Sequence, residues 1–348
     1  MPTHYDHKRL MDEIMEIKQK LGNELLILAH HYQRKEIMDL GDHRGDSFSL
    51  AQRAARDDNA RYIVFCGVRF MAECAAILAH GGQSVQIPDP GAGCWMADMA
   101  QGETVTAQWK CLEALLGPDA VTPVAYVNSH ADVKALCGRH GGMVCTSSNA
   151  ARVLDWALTQ GERVAFFPDE HLGRNAAREV GLSDSDICLW DPEQPLGGNG
   201  EDDIKAAKLF LWKGHCQVHS RFTPGQIVGM RHHFPGARVV VHPECRADVV
   251  TAADASGSTS FIARYVADAP LGSTLILGTE IHLIKRLALE HPDKKILPLE
   301  DAFCPNMYKI NLKNLLFTLE NIGEANRVTI PDAIRGDARR ALEGMLSL

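Results

Sequence analysis

The stretch 24-ELLILAHHYQ-33 is an almost unbroken apolar run that ends in two histidines and a tyrosine. A helical pattern, 47-SFSLAQRAAR-56, follows it, and then a second apolar run, 61-RYIVFCGV-68. A short run that is apolar on successive residues reads as a strand covered on both faces, which is the environment of a parallel sheet flanked by helices. Helix 70-FMAECAAILA-79 and strand 84-SVQIPDP-90 complete a first round. The same alternation returns in 121-VTPVAYVNS-129, 131-ADVKALCGRH-140, 143-MVCTSS-148, 151-ARVLDWALTQ-160 and 163-RVAFFPD-169. A third round follows in 223-TPGQIVGMRHHF-234, 237-ARVVVHPE-244, 247-ADVVTAADA-255, 259-TSFIARYVAD-268, 273-STLILGT-279, 280-EIHLIKRLALEH-291 and 294-KKILPL-299. Three such rounds predict an α/β protein of three similar αβα (Rossmann-like) domains with short parallel sheets.

The expected boundaries are 1–105 for the first domain with an N-terminal helix, 106–190 for the second and 204–304 for the third, with 305–348 packing back onto the core. Residues 191–203, DPEQPLGGNGEDD, are rich in Pro, Gly and acid and read as a solvated linker or surface loop. The segment after Cys304 reads as one helix with Pro305 in its first turn and Gly323 as its stop.

The chain has 348 residues, 45% of them hydrophobic and 23% charged, enough to build real cores and too apolar for disorder. Asp and Glu outnumber Lys and Arg by 44 to 36, a formal charge of -8, and with no basic block the chain is a poor partner for nucleic acid. No apolar run approaches the ~18 residues of a membrane span, and the mean hydropathy of -0.14 agrees. The N-terminus carries charges throughout, unlike a signal peptide. A soluble, cytoplasmic protein is expected.

In open α/β sheets, ligands bind beyond the carboxyl ends of the strands. The residues expected there are His30, His31 and Tyr32 in the first round, Tyr126 and Asn128 in the second, and His242 and Glu244 in the third. Ser47, Ser147 and the Ser258-Thr259 pair each open a helix, where unpaired N–H groups suit a phosphate or carboxylate. Taken singly, such a hydroxyl is an ordinary N-cap; three in equivalent places point to one anion-binding cavity. A His and a Glu at a buried strand end suit proton transfer, though a solvated loop would look the same.

Ten cysteines lie no closer than eight residues apart, without a C-x-x-C clip. Cys66 and Cys74 sit in apolar patterns and read as core thiols. Cys94 and Cys304 stand at helix starts, where the dipole favours a thiolate, and Cys216 lies beside an expected strand end. Three such thiolates suit a tetrahedral zinc with one open position or a [4Fe–4S] cluster with one iron lacking a protein ligand; free thiols are the plainer alternative, and spacing does not choose.

The motifs LAHHYQRKEI, GDSFSLA, IVFCGVRFMAE, AYVNSHADVKA, CTSSNA, FFPDEHLGR, CQVHSRF, VVVHPE, GSTSFI and CPNMYKINL, in that order over about residues 28–312, resemble the quinolinate synthase family. The resemblance implies three αβα domains around a pseudo-three-fold axis, with the active site at their junction. It also implies one [4Fe–4S] cluster per chain on Cys94, Cys216 and Cys304. The implied reaction condenses iminoaspartate with dihydroxyacetone phosphate to quinolinate, with loss of phosphate and two waters, and an L-aspartate oxidase is the suggested supplier of the imine. His30, Ser47, Tyr126, Asn128, Ser147, His242, Glu244 and Thr259 match the family's substrate-contacting residues, and Tyr32, His219 and Ser258 match further pocket positions. Glu244, His242 and Tyr32 are the implied proton carriers. Asp301-Ala302-Phe303 stand where many relatives carry further cysteines before the last ligand, and Lys35 stands where Pro is usual. Another Fe–S hydro-lyase acting on a small dicarboxylate, or a non-catalytic Fe–S sensor, are the competing readings.

Overall fold

The computed structural model describes residues 4–348, with side chains from residue 7 onward. The N-terminal helix runs His4–Leu21, so the first three residues of the expected helix lie outside the described ones. It buries Leu10 and Ile14 and packs against helix Leu312–Glu320.

The described strands form three all-parallel sheets. The first holds β1 (Leu25–His30), β2 (His43–Gly45), β3 (Tyr62–Cys66) and β4 (Ser84–Gln86) in the order 2-1-3-4. The second holds β5 (Val121–Tyr126), β6 (Met143–Cys145), β7 (Arg163–Phe167), β8 (Ile187–Trp190) and β9 (Leu209–Trp212) in the order 6-5-7-9-8. The third holds β10 (Arg238–Val241), β11 (Ala255–Ser256), β12 (Thr274–Gly278) and β13 (Lys295–Pro298) in the order 11-10-12-13. Each sheet therefore starts in its middle, moves one strand outward, then crosses back to the other side. That reversal makes a crevice beside the first strand's carboxyl end, the place where such sheets bind ligands. β1 and β5 are buried at every position because helices cover both faces.

Residues 191–203 are a surface loop, the second of the two expectations, and not a linker between domains. β8 and β9, on either side of them, are neighbours in the second sheet. The Pro- and Gly-rich composition instead builds a tight packed turn. Gly197, at φ +64°, lies against the Trp190 ring, where a Cβ would meet Cδ2 at 2.4 Å. The Asn199 amide donates to the carbonyls of Leu189, Leu196 and Gly197. Asp191 and Asn199 satisfy backbone groups, while Glu193, Gln194, Glu201, Asp202 and Asp203 meet solvent. The second sheet thus extends past residue 190, and Cys216 leaves its strand β9 rather than an element of the third domain.

The expected single helix after Cys304 breaks into Pro305–Tyr308 and Leu312–Glu320, because Asn311 caps the second with bonds from Lys313 and Asn314 N–H. Gly323 follows at φ +84°. Residues 326–328 then bond to the first sheet's edge at Val85 and Ile87. The last helix, Asp332–Ser347, crosses to the second domain and lies on helix Ala131–Arg139 and β6, burying Ala338, Ala341, Leu342 and Met345. The contact depends on Gly138, whose Cβ would fall 1.9 Å from the Asp337 carbonyl. Gly138→Ala should therefore cost on the order of 2 kcal/mol through overpacking. The check is the chemical-denaturation midpoint, and an unchanged midpoint would mean the last helix shifts freely.

Candidate active site

Comparable strand ends carry comparable chemistry. In the pairing register His30 stands opposite Gly45, Tyr126 opposite Cys145, and Val241 opposite Ser256. Ser47 and Ser147 lie two residues beyond their strand-end partners, and Thr259 three beyond, so each sheet presents a ring or imidazole next to a hydroxyl. A cavity of about 200 Å3 lies between them, lined by residues of all three domains. His30, Tyr32, Ser47, Tyr126, Asn128, Ser147, His242, Glu244 and Thr259 line it, together with Cys94, Cys216 and Cys304.

Two histidines are set by the same local bond. Tyr32 N–H donates to His30 Nδ1 at 3.2 Å, and Glu244 N–H donates to His242 Nδ1 at 3.3 Å. Using the Nδ1 lone pair leaves the proton of the neutral ring on Nε2. Burial holds both imidazoles down at about 3, aided by His31 at His30 and by His219 at His242. Near neutral pH both are uncharged hydrogen-bond donors.

Glu244 is the centre of the polar network. It is 3% exposed. Tyr126 OH donates to its Oε1 at 2.5 Å and Asn128 Nδ2 donates to the same oxygen at 3.3 Å. His219 Nδ1 approaches Oε2 at 2.6 Å, too far off the ring's N–H direction for an aligned hydrogen bond. The His219 ring stacks on His242 at 4.5 Å. Burial pushes the carboxyl up, but His219, His242 and the Tyr126 hydroxyl outweigh it and hold it at about 2. Glu244 is thus an ionised carboxylate in a water-poor place. The Tyr126 and Tyr32 phenols are pushed up by burial and by Glu244, so both remain proton donors. Tyr32 OH bonds Thr279 Oγ1 at 2.8 Å and His219 Nε2 at 3.2 Å.

The thiols close the cavity's other wall. Cys94 follows β4, Cys216 follows β9 and Cys304 follows β13, one from the last-entered region of each sheet. Each sulfur meets backbone N–H groups of the next turn: Ala97 and Met96 at Cys94, His219 at Cys216, Met307 and Asn306 at Cys304. The expected low thiol pKa does not follow, because burial dominates. It pushes Cys94 up to about 12 and raises the other two, each also facing a neighbouring thiol or a carboxylate. The helices they open are only four residues long. The three sulfurs do not gather within 4.8 Å of one another; the group that does is Cys216, His219 and Glu244. A single zinc would need sulfurs about 4 Å apart, whereas a cluster spreads its cysteines over different irons.

Several site residues escaped the sequence reading. Asp46, not Ser47, caps helix Ser47–Ala55 by accepting from Ser49 N–H, and Asn149 accepts from Thr146 N–H ahead of helix Ala150–Gln160. Ser258 caps helix Thr259–Asp268 and stands behind the lining rather than in it. Fully buried Glu280 accepts from Cys304 N–H and binds the His282 ring. Lys134, also fully buried, bonds Ser129 just past Asn128. Asp169 has one oxygen on the N–H groups of His171 and Leu172, and burial beside Glu244 raises it far above a normal carboxyl. For Asp46 the available signal was its place one position before Ser47; Glu280, Lys134 and Asp169 have no expected site residue beside them in the chain.

Three αβα domains contributing to one enclosed cavity, with a carboxylate–imidazole–phenol centre facing three thiols, define an enzyme of the multidomain α/β class. A profile of the family described as quinolinate synthetase A protein matches residues 12–347. The chain is 46% identical over 356 residues to quinolinate synthase of Corynebacterium glutamicum, covering 100% of this chain and 90% of the relative. It is 47% identical to that of Streptomyces coelicolor over 95% of this chain and 86% of the relative. For the Bacillus subtilis protein the figures are 45%, 100% and 96%. The chain belongs to the quinolinate synthase family, enzymes of NAD biosynthesis. No helix of the described residues is long and apolar enough to cross a membrane.

Proposed function

We propose that this cavity condenses iminoaspartate with dihydroxyacetone phosphate to quinolinate, releasing phosphate and two waters, with a [4Fe–4S] cluster on Cys94, Cys216 and Cys304. The observation that carries the reading is the junction itself: one ionised Glu244 held by Tyr126 and His219 and facing three thiols, each following the strand of its sheet that comes last in the chain. The thiols fit the cluster, because the surrounding N–H groups are donors to sulfur and a thiolate buried there needs a cation. When bound, the cluster supplies an iron with an open position, a Lewis acid for a substrate oxygen.

The protein's own groups do the rest. Glu244 takes a proton from a substrate carbon or nitrogen and becomes neutral, and Tyr126 and His219 steady the carboxylate before that transfer and again once the proton has been passed on. His242 and His30 donate from Nε2 to carbonyl or hydroxyl oxygens. Tyr32, held by Thr279, can return a proton to a departing hydroxyl. Ser47, Ser147 and Thr259 hold the phosphate and carboxylates through hydroxyls and helix-start N–H groups. Val68, Phe70, Met96 and Val218 line the remaining wall and exclude water from the imine. Because an imine of this kind hydrolyses, an aspartate oxidase acting nearby is a suitable source. The ten cysteines, none paired in a disulfide, suit the reducing cytoplasm.

Anaerobically purified protein is expected to hold about four irons and four acid-labile sulfides per chain and to form quinolinate from the two substrates. Zinc without sulfide, obtained without air exposure, would overturn the cluster, and absence of quinolinate from the iron-replete protein would overturn the substrates.

A further inference from the structure

Each hydroxyl on the anion-facing side of the cavity has a sequence neighbour tied to the same carboxylate. Asp46 precedes Ser47, Ser148 follows Ser147, and Ser258 precedes Thr259. The Asp46 Oδ2 accepts from Ser148 OH of the second domain at 3.1 Å and from Ser258 OH of the third at 3.4 Å. Its Oδ1 accepts from Ser49 N–H in the first domain at 2.9 Å. Asp46 is 7% exposed, Ser258 4% and Thr259 3%. Thr259 Oγ1 is buried, lines the cavity and has no hydrogen-bond partner among the described residues. An orphaned buried hydroxyl destabilises the fold unless something fills the bond.

From this geometry we infer that Asp46 is a positioning residue, a hub whose single carboxylate holds three turns from three domains so that Ser47, Ser147 and Thr259 meet on one anion. The inference deepens the reading of the cavity as an anion site and rests on it. Ser258 illustrates how the hub works. Its hydroxyl accepts from Phe261 N–H at 3.3 Å and spends its one proton on Asp46, so it has nothing left to donate to a ligand. The donor to the anion at that turn is therefore Thr259. Burial pushes the Asp46 carboxyl up, but the Ser49 N–H, the nearby Ser260 hydroxyl and the Ser148 hydroxyl bring it below its usual value, and the hydrogen bonds from Ser49, Ser148 and Ser258 reach both of its oxygens. It also places a negative charge beside the anion, which favours release over tight retention.

The test is a double-mutant cycle on inorganic phosphate binding, read by calorimetry on the full chain, which needs no turnover. Ser148→Ala leaves the charge and the cavity hydroxyls in place. It is expected to weaken phosphate binding roughly 3- to 10-fold in the wild-type background and less than about 2-fold in Asp46→Asn, because the partner bond is already altered. Ser258→Ala should behave in the same way, and circular dichroism checks that each variant is folded. Equal losses in both backgrounds, or no loss in either, would overturn the hub. Failure of the wild-type protein to bind phosphate at all would instead overturn the anion reading, and the hub with it.

Discussion

Cys304→Ala, purified without air, is expected to fall below about a tenth of the wild-type iron and sulfide content, while Cys245→Ala keeps both. The contrast follows from where the two sulfurs lie. Cys304 lines the cavity with N–H groups of Asn306 and Met307 turned toward its sulfur. Its own N–H is held by fully buried Glu280 at 3.3 Å, so the thiol is fixed before any metal arrives. Cys245 is fully buried outside the lining, with its sulfur 3.9 Å from the Gly278 carbonyl. Cys94→Ala should match Cys304→Ala. The cavity offers one rival, a single ion on Cys216, His219 and Glu244. Under that arrangement Cys94→Ala and Cys304→Ala would keep their metal and only Cys216→Ala would lose it, and that result would remove the cluster from the proposal.

The second large effect is expected at Glu244. Glu244→Gln has nearly the same shape and still accepts from Tyr126 through its oxygen, so the fold and the iron content should stay as in the wild type. It lacks the charge and the basic oxygen. The rate of quinolinate formation should drop roughly 10²- to 10⁴-fold, the range of a lost general base. Activity within about threefold of wild type would remove Glu244 from proton transfer. Loss of iron together with activity would show that the carboxylate is a metal ligand. Measuring iron and rate on the same preparation separates these outcomes.

Much of the site was legible because strand ends in parallel sheets announce themselves. The apolar runs end at His30, Tyr126 and Val241, and the residues just beyond are those lining the cavity. The hydroxyls followed from the same logic on the neighbouring strands. Composition read without partners decided less. A Pro- and Gly-rich acidic stretch left linker and surface loop open; residues 191–203 are the loop, joining two paired strands of one sheet, because pairing of β8 with β9 is a long-range choice. The cysteines at helix starts looked acidic, yet desolvation outweighed the nearby N–H groups, and burial is not visible in local sequence.

The sequence by itself determined the periodicity, hence three rounds of parallel strand and helix. Through its ordered motifs it also determined the family. Only the tertiary structure decided which neighbour in each polar pair faces the ligand. Ser47, Ser147 and Thr259 line the cavity, while Ser148 and Ser258 stand behind it and bond Asp46 at its wall. It alone decided that Glu244 stays ionised, since the groups that hold its charge, His219 and Tyr126, are 25 and 118 residues away in the chain. Hydrogen bonds and Coulomb forces act over a few ångströms of space, and separation along the chain says nothing about that distance until the three sheets have packed.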